Sequence, residues 1–452
     1  MESTENRMGT LPVPRLVISM SLPVMISMLV LALYNIVDSV FVSMYSETAL
    51  AAVSLAFPLQ NLMNSVAIGT AVGLASLISR KLGAKDRDGA EKAASQGITL
   101  AIMGWAAFVV VGAFLSRTFF MLFSDDATLI AMGTTYTRWC LICSLAIFID
   151  MTLERIMQAT GDTVHPMIIQ LAGAFTNIIL DPILIFGLLG LPRMGIAGAA
   201  IATVIGQHVS ALLGIIFIKK NRFLTLKAEN RKLHATTVKE IYAVGLPSII
   251  MQSIGTVMIS GVNKILVAFG MTPVSVFGVY FKLQSFVFMP VFGLNSGLIP
   301  IVGFNYGARK PQRMNQAIRT AVGIAVCIMA LGTLAFNLCP ELLLSMFNAK
   351  EEMMRIGKIA LPILSLCFVP AGISICMMSL FQAVGDGMLS MLVSLARQLF
   401  VLLPSAWILA RFLGLDAVWF AFIIAEGASL MLVVSLFVWE YRRKVSPLFH
   451  QN

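Results

Sequence analysis

Leu22-Pro23 recurs as Leu246-Pro247, and the match continues at one offset of 224 without a gap: Phe57 as Phe281, Gln60 as Gln284, Gly69 and Gly73 as Gly293 and Gly297, Gly83 as Gly307. The pentad Gln158-Ala159-Thr160-Gly161-Asp162 returns as Gln382-Ala383-Val384-Gly385-Asp386. A repeat this long means two copies of one structural unit, which restricts the fold before any local pattern is read. In an apolar chain such duplication is the plan of a transporter built from two equivalent halves.

This chain is apolar throughout. Hydrophobic residues make up 58% and charged residues 12%, whereas soluble domains carry roughly a quarter charged. Mean hydropathy is +0.89. Twelve apolar runs, six per copy, fall near 16–44, 48–78, 91–117, 127–159, 163–188, 195–219, 238–268, 273–303, 314–336, 351–384, 387–411 and 416–441. Each is long enough to cross about 30 Å of hydrocarbon as a helix. Membrane barrel strands would instead alternate over about 10 residues. The expected fold is an all-α integral membrane protein of twelve transmembrane helices in two six-helix lobes. The N-terminal lobe spans 1–218, a polar linker 219–239 and the C-terminal lobe 240–452.

The net charge of +10 needs no nucleic-acid partner, because the cations cluster in alternate loops. Arg80, Lys81, Lys85 and Arg87 lie in one such loop, the 219–239 segment is a second, Arg309, Lys310 and Arg313 form a third, and Arg442-Arg443-Lys444 follows the last span. Positive-inside bias places these loops, and both termini, in the cytoplasm of a multi-pass protein of a prokaryotic cell membrane. The first 15 residues, with Glu2, Glu5, Arg7 and Arg15, have no apolar stretch of the kind a cleavable signal peptide needs. Six cysteines lie in or beside apolar spans, and Cys140-x-x-Cys143 lacks the partners of a zinc site, so they read as packing residues. With four histidines, at 165, 208, 234 and 450, and no long polar loop, the chain does not read as an enzyme.

Charges inside apolar spans mark function or a neutralised pair. Asp38 lies about six residues, or roughly 9 Å, inside the outer end of the first span. Asp181 lies at a similar depth in the fifth, Asn177 is one turn before it on the same face, and Thr203 lies at that depth in the sixth. Carboxylate, amide and hydroxyl oxygens suit a small hard cation, and two adjacent buried acids suit a proton equally, since both cannot cheaply stay ionised. The residues leave Na+ and H+ open. Hydrogen bonding between helices is the simpler alternative. The repeat acts as a control: Asp38 maps to Val262, Asn177 to Val401 and Asp181 to Ser405, so one half alone keeps the acids. Architectural contacts would be expected in both.

Other polar residues are candidates for substrate. Tyr34 sits one turn before Asp38, where an aromatic face would attract an organic cation. Gln60 and its repeat mate Gln284, Asp150 and Glu154 in the fourth span, and Glu426 in the twelfth complete the set. Glu154 could instead pair with Arg155, and Glu426 with Lys282 or Arg397.

The stretches LPVMISMLVLALYNIVDSVFV (22–42), FPLQNLMNSVAIGTAVG (57–73), QATGDTVHPM (158–167), NIILDPILIFG (177–187), GIAGAAIATVIGQ (195–207) and MPVFGLNSGLIPIVGFNYGAR (289–309) resemble the multidrug and toxic compound extrusion (MATE) family. The resemblance covers essentially the whole chain. It implies two lobes in a V around a central cavity, and export of amphipathic, often cationic drugs or metabolites driven by inward Na+ or H+. It assigns the coupling ion to Asp38, Asn177, Asp181 and Thr203 and a hinge to Pro23. No cofactor is expected, and the chain is expected to function as a monomer among membrane lipids. A lipid-linked saccharide flippase of the wider superfamily is the alternative. Relatives with a second type of ion site place acids in the seventh and tenth spans, where this chain has Gln252 and no acid within 361–384.

Overall fold

The computed structural model describes residues 6–449 other than 348, so Glu2, Glu5 and His450 lie outside them. Among the described residues every regular element is a helix. In the first copy these are α1 Val13–Tyr45, α2 Glu47–Gly83, α3 Arg87–Val110, α4 Ala127–Ile142, α5 Leu145–Ala159, α6 Val164–Phe186 and α7 Ile196–Ile218. The second copy has α8 Ala235–Val267, α9 Met271–Gly307, α10 Pro311–Leu338, α11 Glu351–Ser365, α12 Phe368–Ala383, α13 Gly387–Leu395 and α14 Phe420–Glu440. Wider π turns continue α3 over Val111–Leu115 into Ser116–Met121, α13 over Ala396–Leu402 into Leu403–Leu413, and α14 over Tyr441–Val445; shorter helical turns lie between the elements.

Among the described residues ten helices are long and apolar enough to cross a membrane, or eleven when α11 and α12, bent by about 40°, are taken as one span. The remaining expected run, 127–159, is α4 followed by α5. It is interrupted at Cys143–Ser144, and Asp150, Glu154 and Arg155 make α5 too polar to be a span by composition alone. The interruptions fall within one residue of equivalent places in the two copies, at Cys143–Ser144 and at Leu366–Cys367. Ser144 Oγ donates to Leu141 O at 2.7 Å and Cys367 Sγ to Leu364 O at 2.8 Å. Each supplies a donor to a carbonyl that the ending helix leaves open.

The helices sort into two compact units. Ile26–Ile249 belong to the first; Arg7–Met25 and the chain from Ile250 onward belong to the second. Thus α1 changes unit after Met25 and α8 after Ile249, positions related by the repeat. Within the first unit the start of α8 lies directly on α2. A Cβ on Gly73 would fall 2.1 Å from the Ile241 carbonyl, and one on Gly69 would fall 2.5 Å from Ile249 Cγ1. Within the second unit the start of α1 lies on α9, where Cβ atoms on Gly293 and Gly297 would fall 2.7 Å from Met25 N and 2.8 Å from Ser21 Oγ. The repeated glycines are therefore flat pads on which a helix of the other copy makes backbone contact, the usual role of small residues between membrane helices.

Leu74, Ile78, Leu153, Ile156, Ile169 and Ile241 fill one core of the first unit. The second unit is centred on rings: Tyr280 and Phe368 lie 6.4 Å apart, Phe336 and Phe368 5.1 Å, Phe277 and Phe281 4.9 Å. The first pair is stacked and the other two meet edge to face, arrangements that add ring–ring attraction to apolar burial. The polar segment after α7 follows α3, with the N–H groups of Thr225, Lys227 and His234 donating to Glu91, Ser95 and Gln96 at 3.3, 3.2 and 3.0 Å.

Candidate cation site

The site begins with small residues that let two helices touch. A Cβ on Gly206 of α7 would lie 2.7 Å from the Gly173 carbonyl of α6. One turn further, Ser210 Oγ donates to Ile169 O at 3.1 Å. This approach sets Asn177 of α6 against Thr203 of α7. In the amide orientation that satisfies both ends, Asn177 donates to Asp181 Oδ2 at 2.9 Å. Its oxygen then accepts from Thr203 N–H at 3.0 Å and from the Thr203 hydroxyl at 3.1 Å. Asn177 and Asp181 are 2% and 0% exposed, so in this conformation these bonds are made away from water.

Asp38 of α1 completes the arrangement. Its carboxyl group lies close enough to that of Asp181 for the two to interact directly, while its Oδ1 is buried without a partner. Two carboxyl groups in contact repel when both are charged, so the contact is favourable only with a proton or a metal cation between them. Tyr34, one turn before Asp38, lies beside Thr203. Five oxygen-bearing side chains from three helices of the first unit thus converge. In the second unit Val262, at the position related to Asp38, is fully buried.

A further shell joins from α2 and α4. Gln60 Nε2 donates to the Tyr136 hydroxyl at 3.3 Å, and Tyr136 lies next to Cys140, one turn along α4. Cys140 is also packed in an apolar cluster with Val42, Ala52, Ile185 and Ala199. Sequence reasoning passed over Tyr136, although a tyrosine one turn from a buried cysteine on an otherwise apolar face was a visible signal.

The remaining candidates are held elsewhere. Asp150 and Glu154 of α5 are 4% and 2% exposed. Gln170 Nε2 donates to Glu154 Oε2 at 2.7 Å, while Glu154 Oε1, Asp150 Oδ1 and Gln170 Oε1 are buried without partners. Arg155 turns to Gln158, donating at 3.1 Å, and among the described residues no ion pair joins it to Glu154. Glu426, 6% exposed, pairs with Arg397 at 3.2 Å, whereas Lys282 lies over the Phe347 ring, 6.0 Å from its centroid. Gln284 is half-buried in α9 with its Oε1 unpartnered. Pro23 lies within α1, which is continuous on both sides of it.

A family model described as MatE matches residues 23–183 and 243–408, one stretch in each copy. An FAD transporter of Shewanella oneidensis is 27% identical over 396 residues, which cover 87% of this chain and 88% of the relative. Multidrug export protein MepA of Staphylococcus haemolyticus is 26% identical, covering 94% of this chain and 93% of its own. Among solved structures, a crystal structure of MATE in complex with MaL6 matches with a TM-score of 0.91 at 25% identity, covering 99% of this chain and 100% of that one. An outward-facing multidrug resistance MATE family transporter of the MOP superfamily matches in fold at a TM-score of 0.91 and 24% identity, with both chains covered in full. The family model covers well over half of the residues, and the chain belongs to the multidrug and toxic compound extrusion family of membrane transporters.

Proposed function

We propose that this transporter exports amphipathic, often cationic drugs or metabolites in exchange for inward Na+ or H+, by alternating access. The observation that carries the reading is the closeness of Asp38 and Asp181, two acids with no base beside them among the described residues. Asn177 and Thr203 supply amide and hydroxyl oxygens around the pair. Such a set fits a hard monovalent cation and also a shared proton. Likeness to a multidrug export protein supports drugs as substrates.

In this mechanism a cation from outside neutralises the pair and lets α1 close on α6; its departure restores repulsion and drives the helices apart. A ligand can shift such an equilibrium only through different affinities for the two states. Coupling therefore comes from substrate competing for the carboxylates, or from α1 rearranging about Pro23, where the ring removes one helix hydrogen bond. Tyr34, one turn before Asp38, and Gln60, bonded to Tyr136, are the proposed substrate contacts in the first unit, with Gln284 the counterpart of Gln60 in the second. Asp150, Glu154 and Glu426 are buried in this conformation and would meet substrate only in another.

The test is ethidium efflux from proteoliposomes with sodium and proton gradients imposed separately, wild type beside Asp38→Asn. Efflux that follows one gradient and is absent in the variant supports the exchange and identifies its ion. Efflux that persists in a well-inserted variant rejects the role given to Asp38. A second reading, export of a phosphate-bearing metabolite, is favoured by the likeness to an FAD transporter. Loading the same vesicles with FAD tests it directly.

A further inference from the structure

Two adjoining cavities at one end of the second unit have complementary linings. The larger, about 510 Å³, has a wall of Ile318 and Val322 from α10, Met377 from α12, and Phe437 and Val438 from α14. Arg319 and Arg442 stand at it as well. The smaller, about 410 Å³, shares Arg319 and Asn315 and is otherwise lined by Gln312, Gln316, Thr320 and Phe449. An apolar trough thus runs into a basic and amide-rich recess at the end of the spans. Asn315 Nδ2 donates to the Tyr441 hydroxyl at 2.6 Å and ties α10 to the π turn where the two meet.

That turn distributes its three cations unequally. Lys444 pairs with Glu440 at 3.2 Å and also with Asp386, and Arg443 reaches Glu440 at 3.8 Å. Arg442 has no ion pair among the described residues, and neither has Arg319 across the cavity. Two uncompensated guanidinium groups at the mouth of a trough attract an anion, and guanidinium suits the oxygens of a phosphate. The trough is apolar and lies between helices whose length and composition suit a membrane, so it fits an acyl chain.

We propose that this groove is a binding site for an anionic phospholipid, with the phosphate between Arg319 and Arg442, an acyl chain along Ile318, Val322 and Phe437, and the headgroup in the amide-lined recess. A zwitterionic lipid brings its own cation to the same place and is disfavoured there. The proposal is independent of the transported substrate and of the coupling ion. Basic recesses between membrane helices are suited to anionic headgroups, and each cation near the surface contributes several-fold to the preference.

Lipid retention by the purified full-length protein tests this, using native mass spectrometry after exchange into mixed phosphatidylglycerol and phosphatidylcholine. Wild type should retain phosphatidylglycerol over phosphatidylcholine by about tenfold. The Arg319→Gln/Arg442→Gln variant should bring the ratio close to one, and Arg117→Gln, in the other unit, should leave it unchanged. The Arg319→Lys/Arg442→Lys variant keeps the charge and should keep most of the preference, which separates lost binding from damaged folding. Equal retention by wild type and the glutamine variant would overturn the proposal. So would release of phosphatidylglycerol by inorganic phosphate, which would make the recess a site for free anions.

Discussion

Asp38 on α1 meets Asp181 on α6 carboxyl to carboxyl, and Asn177 and Thr203 close the far side of Asp181. Among the described residues neither acid has a basic partner, which is why the proposed mechanism places a cation between them. Under the proposed mechanism the two residues act as one device, and their substitutions should not add. Asp38→Asn and Asp181→Asn are each expected to lower gradient-driven efflux more than about tenfold, a change of roughly 1.4 kcal/mol. The double variant should lose no more than the worse single one. Vesicle efflux rates, normalised to inserted protein, check this, and additive losses would point to separate roles.

Gly73 lies under the Ile241 carbonyl, where a methyl group would fall 2.1 Å from oxygen. Backbone cannot yield as a flexible side chain does. Gly73→Ala should therefore destabilise the first unit by about 1–3 kcal/mol, the usual cost of overpacking. Gly278→Ala is the control, because nothing lies within 4 Å of its added methyl; within a helix it should be neutral or slightly stabilising. Melting of the detergent-solubilised protein distinguishes the two.

Arg397 neutralises Glu426 at 3.2 Å in the second unit. Removing the base alone leaves a carboxylate buried without a partner, and Arg397→Met should lower stability by about 3–5 kcal/mol. The Arg397→Met/Glu426→Gln double variant should recover most of that loss, because the charge goes with its partner. A double variant no more stable than the single one would show that packing, and not charge, holds this place.

Asp86 begins α3. A hydrogen bond from Lys81, the Gly89 N–H and the charge of Lys81 hold its carboxyl below the usual carboxylate range. The clamp is therefore fully present above the unfolded value near pH 4 and is lost as pH falls through the lower folded value. Asp86→Asn keeps a capping side chain but no charge. Its melting temperature should fall less steeply than that of wild type between about pH 4 and pH 3. Parallel curves would mean that Asp86 contributes nothing to the acid limb.

Much of this architecture was legible in the chain. The offset of 224 foretold equivalent structure in detail. Gly161 and Gly385, repeat mates, have φ of 96° and 93°, and Lys85 and Arg309 have φ of 62° and 55°. Local conformations recur because each depends on a few neighbouring residues. Depth along a helix follows from counting residues at a fixed rise, and by that count Asp38, Asn177, Asp181 and Thr203 lie at one level.

Other features needed the packed molecule. Counting along spans gives depth but not which faces turn toward each other, so the contacts of Asp38 with Asp181 and of Gln60 with Tyr136 emerge only when the helices of the first unit come together. Glu426 had two cations within reach by sequence; the π turn over Ala396–Leu402 and the packing of α14 gave it Arg397 and left Lys282 over a ring. The repeated glycines were visible, but not what they touch. Periodicity and composition are local properties, written along the chain at intervals of a few residues. The partner of a side chain is set by elements that can be hundreds of residues away, and only their packing chose it.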